Sequence, residues 1–215
     1  MSDRNHRGKY DRGYLPHIDI PEASQFITYR LADSLPADVV ERMRLETTEE
    51  GDPLDPDIAR YLDAGSGACW LERPGVADVV IENLRHHDGE KYRLHDWVVM
   101  PTHVHVAYGD PDDTMSRILC SWKSYTGNVI GDMVPIDEEQ SLWQPGYFDR
   151  YIRDRRHFFN VRCYVILNPV VAGLVDDPFA WPYSSIHDYP ESFRTSLRWW
   201  FRRWRERFWE TTRDY

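Results

Sequence analysis

A chain of 215 residues, 41% hydrophobic and 29% charged, has the apolar content for one core, or for one domain with appendages. Its formal charge of -10 excludes a protein that holds phosphate backbones through a uniformly basic surface. No apolar run is long enough to cross a bilayer and none follows Met1-Ser2-Asp3-Arg4-Asn5-His6-Arg7, so neither a membrane anchor nor a targeting peptide is expected.

Phe26-Ile27-Thr28-Tyr29-Arg30-Leu31 reads as the first strand, after a leader marked by Pro16 and Pro21. Pro36 opens a helix whose Val39, Val40, Met43 and Leu45 give way to an acidic segment of Glu46, Glu49, Glu50, Asp52, Asp55 and Asp57. From about 46 to 75 the chain reads as a helical insertion, punctuated by Pro and Gly, which holds Ile58, Tyr61 and Leu62 and then Cys69-Trp70-Leu71. A helix is predicted over Val76 to Leu84, with Val79, Val80 and Leu84 facing inward. Tyr92 to Met100 then reads as a strand, Pro101-Thr102 as its turn and His103 to Tyr108 as the hairpin partner. Later helices are predicted over Met115 to Tyr125 and Arg155 to Leu167, the second ending at Asn168-Pro169. Cys69, Cys120 and Cys163, odd in number and widely spaced, suit reduced packing residues in a cytoplasm better than a disulfide framework or a zinc cluster.

The strand from His103 carries the main chemical signal. Side chains alternate across a strand, so His103 and His105 share a face while Val104 and Val106 enter the opposite layer. Two imidazoles on one face are half of a metal site, and equally two ordinary sheet histidines; a third ligand and a nucleophile are needed to choose. Tyr164 and Asn168 lie four residues apart, one turn along the same helix face, so a phenol and an amide oxygen can approach one place together. A tyrosine so placed also commonly does no more than pack its ring.

Charge is unevenly spread. Asp110, Asp112 and Asp113 follow the histidine strand, whereas Arg150, Arg153, Arg155, Arg156 and Arg162 form one basic cluster and Arg194, Arg198, Arg202, Arg203, Arg205 and Arg207 another. Arginine favours bidentate phosphate contact or base stacking, although a solvated helix face laced with ion pairs has the same composition. In the tail, Arg194, Arg198, Arg202 and Arg205 stripe one side of a helix and aromatics cover much of the rest, a pattern open to nucleic-acid contact, a membrane surface or packing on the domain, with packing together with nucleic-acid contact favoured.

Three ordered motifs bear a resemblance. Tyr92-Arg93-Leu94-His95-Asp96-Trp97-Val98-Val99-Met100-Pro101-Thr102-His103-Val104-His105-Val106, then Trp143-Gln144-Pro145-Gly146-Tyr147-Phe148-Asp149, then Tyr164-Val165-Ile166-Leu167-Asn168-Pro169-Val170-Val171-Ala172-Gly173-Leu174-Val175 together resemble the REP-associated tyrosine transposases, a single-tyrosine branch of the HUH nucleases. The likeness runs from about Tyr14 to Tyr189 and includes Leu15-Pro16-His17-Ile18-Asp19 and Trp181-Pro182-Tyr183-Ser184-Ser185. It implies an α+β protein with a ferredoxin-like antiparallel sheet and packed helices, a transposase domain over 1–190 and an Arg/Trp-rich tail over 191–215. It also implies that the histidine strand is central and runs straight through Pro101-Thr102, against the hairpin reading.

The resemblance assigns roles as well. His103, His105 and Asn168 would be metal ligands and Tyr164 the nucleophile that forms a 5′-phosphotyrosine on single-stranded DNA. Three N and O ligands leave room for a phosphate oxygen, which suits Mg²⁺ or Mn²⁺. The implied partner is single-stranded or hairpin DNA with REP-like palindromes, bound by a cytoplasmic monomer or homodimer with no membrane association. Trp122, Lys123 and Tyr125, in a segment like a family motif, and Arg153, Arg155 and Arg156 are the candidate DNA contacts, with a core role for Trp122 as the alternative. Thr102 and Val171 depart from the family pattern, which has Asn before the first histidine and a basic residue after Asn-Pro-Val. The rival function is a hairpin-binding regulator, descended from such a transposase, that does not cut.

Overall fold

The computed structural model describes residues 8–11, 16–20, 23–34, 67–136, 140–199 and 201. The helix expected after Pro36, the acidic segment, most of the 46–75 insertion and the tail beyond 201 lie outside the described residues. Four strands, β3 (Gln25–Arg30), β4 (Arg93–Val99), β5 (His103–Gly109) and β6 (Phe148–Tyr151), form one antiparallel sheet in the order β4-β5-β3-β6. With helices α1 (Val76–His86), α2 (Met115–Gly131) and α3 (Arg155–Val171), the described elements run β-α-β-β-α-β-α. The α+β class is as expected.

Strand alternation sorts the residues of β3, β4 and β5 into two layers. Ile27, Tyr29, Trp97, Val99, Val104, Val106 and Tyr108 pack against Val80 and Leu84 of α1 and Ile118, Leu119 and Trp122 of α2. Phe26, Val98 and Ala107 face the other way, against Val161 and Val165 of α3 and against Trp181. Every residue of β5 is buried, as befits a strand paired on both edges and covered on both faces.

The hairpin expectation holds. Met100 N–H donates to the His103 carbonyl at 2.8 Å and Val99 pairs with Val104, so β4 turns back at Pro101-Thr102. β5 is nevertheless central, because β3 pairs with its other edge. The strand therefore does not run through Pro101, contrary to what the resemblance implied.

α3 does run through its proline. Pro169 lies inside the helix, where its fixed φ is already helical and its missing N–H forfeits one bond in the last turn. The helix ends at Gly173, whose φ of 72° suits glycine. There Gly173 N–H donates to Val170 O at 3.0 Å and Leu174 N–H to Pro169 O at 2.9 Å.

The proline-marked leader is not featureless. Strands β1 (Gly8–Asp11) and β2 (Pro16–Asp19) pair with each other, and Asp149 of β6 ties β2 down. Its carboxylate meets His17 Nδ1 and accepts from Ile18 N–H at 3.2 Å. Asp19 accepts from Met115 N–H at 3.0 Å, placing a carboxylate at the positive end of α2. Residues of two motifs that carried the resemblance thus hold the frame together.

Trp122 is a core residue, which corrects its assignment as a DNA contact: it is 1% exposed and its indole N–H donates to Tyr92 Oη at 3.0 Å. Its α2 face is shared with Ile118, Leu119 and Thr126, all buried. Trp122→Ala is expected to cost about 3–5 kcal/mol, the usual range for truncating a buried aromatic, measured by urea denaturation of the purified protein. Cys120 is likewise not a packing residue but lies at the surface, while Cys69 and Cys163 are partly buried; all three are free thiols.

Residues 191–199 are helical. Phe193, Leu197 and Phe201 line an apolar hollow with Phe159, Ile166 and Leu167 of α3, so the described part of the tail packs on the domain. Arg194 and Arg198 lie 2.8 and 3.7 Å from Glu191, and the Arg198 guanidinium sits 4.3 Å from the centre of the Phe179 ring. No described helix is long and apolar enough to cross a membrane.

Candidate active site

The face of β5 that looks toward α3 carries the histidine pair. Their Nε2 atoms lie 3.0 Å apart, with the ring planes at 79°. The other nitrogen of each ring is held by a hydroxyl: His105 Nδ1 by Thr28 Oγ1 at 2.7 Å, His103 Nδ1 by Thr102 Oγ1 at 3.1 Å. Anchoring both Nδ1 atoms fixes the rings and turns both Nε2 atoms toward one place, as second-sphere partners do for metal-binding histidines. Thr102, a departure from the family pattern, thus has a role of its own.

Both imidazoles are buried, which disfavours their charged form. Burial, then the Arg30 charge, push His105 down to about 3. His103 falls well below its usual value through burial, His105 and Arg30, in that order. Neutral imidazole is the form that ligates a metal.

α3 supplies the facing groups. The half-buried Tyr164 ring meets His105 with centroids 5.2 Å apart and planes at 70°, and meets Phe26 edge-on at 5.8 Å. One turn further on, Asn168 is fully buried and neither its Oδ1 nor its Nδ2 has a hydrogen-bond partner. Such an orphaned amide costs roughly 1–3 kcal/mol, so its persistence calls for a ligand. No cluster of three His, Cys, Asp or Glu side chains that could hold a metal occurs among the described residues. Two neutral imidazoles and an unpartnered amide oxygen fit a hard or borderline divalent cation with positions left open.

A second network fixes α3 to the sheet. Asp96, buried beside the bulge in β4, accepts from Arg162 Nε, from the Tyr189 hydroxyl and from Ser185 Oγ, the last at 3.2 Å. Burial pushes the Asp96 carboxyl up, and Arg162 and Tyr189 oppose that push. Arg162 is therefore a structural partner two residues before Tyr164.

The predicted DNA contacts separate. Arg153, Arg155 and Arg156 are exposed at the start of α3, and Tyr125 is 54% exposed on α2. Lys123 is half-buried, donating from Nζ to the carbonyls of Gln144, at 2.8 Å, and of Gly146. Burial, with Arg30 nearby, pulls its pKa down to about 8. Its ammonium pins the loop before β6. Sequence reasoning passed over Thr28 and Arg30, although alternation in Phe26-Ile27-Thr28-Tyr29-Arg30-Leu31 already sets both on the face of Phe26.

Fold and site define an α+β protein with a paired-histidine strand facing a tyrosine helix. No family model matches the chain. Over 99 residues it is 29% identical to the REP-associated tyrosine transposase of Escherichia coli strain K12, which covers 45% of this chain and 55% of that protein. Over 110 residues it is 27% identical to a Haemophilus influenzae protein described by the same family name, covering 44% and 62%. The chain thus spans somewhat more than half the length of these curated relatives. A solved structure of a REP-associated tyrosine transposase bound to a REP hairpin superposes with a TM-score of 0.50 at 20% identity, over 88% of this chain and 89% of that one, and shares its fold. The chain is thus similar in sequence to REP-associated tyrosine transposases over somewhat more than half of their length, and in fold to a solved one.

Proposed function

We propose that the chain is a metal-dependent endonuclease and strand transferase for single-stranded DNA that carries REP-like hairpins, acting through a 5′-phosphotyrosine. The observation that carries this reading is the meeting of Tyr164 with His105, where the two Nε2 atoms converge and α3 also buries the unpartnered amide of Asn168. The relatives' names and the hairpin in the structural neighbour support the choice of DNA.

His103, His105 and Asn168 would hold Mg²⁺ or Mn²⁺, which when bound would neutralise charge on the scissile phosphate and orient it. Tyr164 Oη attacks phosphorus while the bond to the 3′ oxygen breaks. The phenolic proton is given up and the 3′ oxygen gains one, leaving a 5′-phosphotyrosine and a free 3′-hydroxyl. One phosphodiester is exchanged for another, so a 3′-hydroxyl can reverse the step and join strands. Thr28 and Thr102 hold the imidazole rings in position, and the Phe26 and His105 rings set the plane of the phenol. Arg155 and Arg156, exposed in the first turn of the helix that carries the nucleophile, and Arg153 just before that helix would carry the phosphate backbone up to it.

Incubation with an end-labelled REP-type hairpin oligonucleotide tests the reading. Label that stays with the denatured protein in Mn²⁺, and is absent in EDTA, is the expected result. Tight binding without an adduct under either condition would make the protein a hairpin-binding regulator instead.

A further inference from the structure

The bulge in β4 sets two consecutive side chains on one face of the sheet. Leu94 pairs with Tyr108 and Asp96 with Ala107, which leaves His95 as the extra residue. In a regular strand His95 and Asp96 would face opposite layers. Here the His95 ring meets Phe158 of α3 edge-on at 4.9 Å, and the Asp96 carboxylate accepts from Arg162, one turn further along that helix. His95 Nε2 also lies 3.1 Å from Ser24 Oγ, and a Cβ at Gly109 would come within 2.7 Å of that nitrogen. Both contacts fall where α3 has little else to hold it. From Arg155 to Tyr164 only Val161 is buried, whereas Val165 to Asn168 and Pro169 are all buried.

Asp96 is an expensive way to fasten a helix. It is fully buried and accepts from Arg162, Tyr189 and Ser185, while Arg162 also donates to the Tyr189 hydroxyl. Such a buried ionic network contributes little net stability compared with apolar side chains of similar volume, but its hydrogen bonds admit one geometry. Arg162 meets the sheet at the level of Ala107, and Tyr164 meets it at His105, two residues along β5. A slip of α3 by one residue would turn its side chains by about 100° and move them by about 1.5 Å along the axis. We propose that Asp96, acting through Arg162, is a positioning residue for the nucleophile: it sets the rotation and height of α3 that bring Tyr164 to the histidine pair. This rests on the nuclease reading above.

The test is single-turnover adduct formation by the full chain with Mn²⁺ and saturating hairpin DNA, with hairpin Kd and Tm measured in parallel. Asp96→Leu, Arg162→Met and Tyr189→Phe together replace the network by apolar side chains, so Tm should equal or exceed that of wild type. Adduct formation should nevertheless slow about 100-fold, the loss that follows a displacement of about 1 Å between reacting groups. Hairpin Kd, set by contacts along the whole strand, should move by less than about threefold. Val80→Ala, which opens a cavity in the opposite layer, is the control: a lower Tm with the wild-type adduct rate. A combined variant with the wild-type rate overturns the proposal, and so does a Val80→Ala rate that falls as far. Should the combined variant not fold, Arg162→Lys carries the test, because it keeps the charge but loses the fork that reaches both Asp96 and Tyr189. Slower attack at unchanged affinity then supports the proposal and the wild-type rate overturns it. Wild-type protein that forms no adduct sinks the nuclease reading and this proposal together, whereas an active wild type with indifferent variants removes this proposal alone.

Discussion

Tyr164→Phe is expected to abolish the protein–DNA adduct and to slow strand cleavage by on the order of 10⁴-fold or more, as removal of a covalent nucleophile does. The substitution deletes one oxygen. The ring keeps its contacts with His105 and Phe26, so α3 retains its seat on the sheet. Thermal stability should therefore stay within about 1 kcal/mol of wild type, and hairpin binding should persist. Denaturing gels for the adduct and gel shifts for binding, run on the same preparation, separate the two effects. Cleavage that survives the substitution would mean that water or another side chain attacks, and the tyrosine mechanism would be lost.

Asn168→Leu is expected to move stability and activity in opposite directions. The wild-type amide is fully buried with both polar atoms unpartnered by protein groups. An apolar side chain of similar volume removes that penalty, so the metal-free variant should be more stable by roughly 1–3 kcal/mol. The same change would remove the proposed third ligand. Calorimetric titration should show weaker Mn²⁺ binding, and adduct formation should fall on the order of 10³-fold, the scale of several kcal/mol of lost metal assistance. A variant destabilised without metal, or one that binds Mn²⁺ as wild type does, would show that the amide serves packing alone.

The β5 strand was legible because every position obeys one rule. His103 and His105 alternate with Val104 and Val106, and that pattern alone separates the site face from the core face. The centrality of β5 was not legible from its own residues, since it depends on β3 pairing with the far edge. At α3, Pro169 was weighed as a terminator, yet Ala172-Gly173-Leu174 stops the helix, because only glycine readily takes the left-handed turn there. β1 and β2 escaped because four-residue strands carry too little alternation to be read, and their anchor, Asp149, lies more than a hundred residues away.

The Trp122 assignment failed for a different reason. A motif likeness places a residue in a family but does not say which way its side chain points. The apolar spacing of Ile118, Leu119 and Trp122 already set that tryptophan on the core face. Thr102 shows the converse: a departure from the family pattern becomes intelligible once its hydroxyl is found on His103 Nδ1. Thr28 and Arg30 were within reach of the alternation argument, but single polar residues in a buried strand announce no chemistry until the strand beside them is known.

The central claim is that Tyr164 becomes joined to the 5′ end of DNA at a site built from His103, His105 and Asn168. Mass spectrometry of the protease-digested reaction with Mn²⁺ and hairpin DNA tests it most directly. The account predicts a nucleotide mass on the peptide that contains Tyr164, linked through a 5′-phosphate, with a free 3′-hydroxyl on the released fragment. Cleavage products with an unmodified Tyr164 peptide, or a nucleotide on another residue, would contradict it.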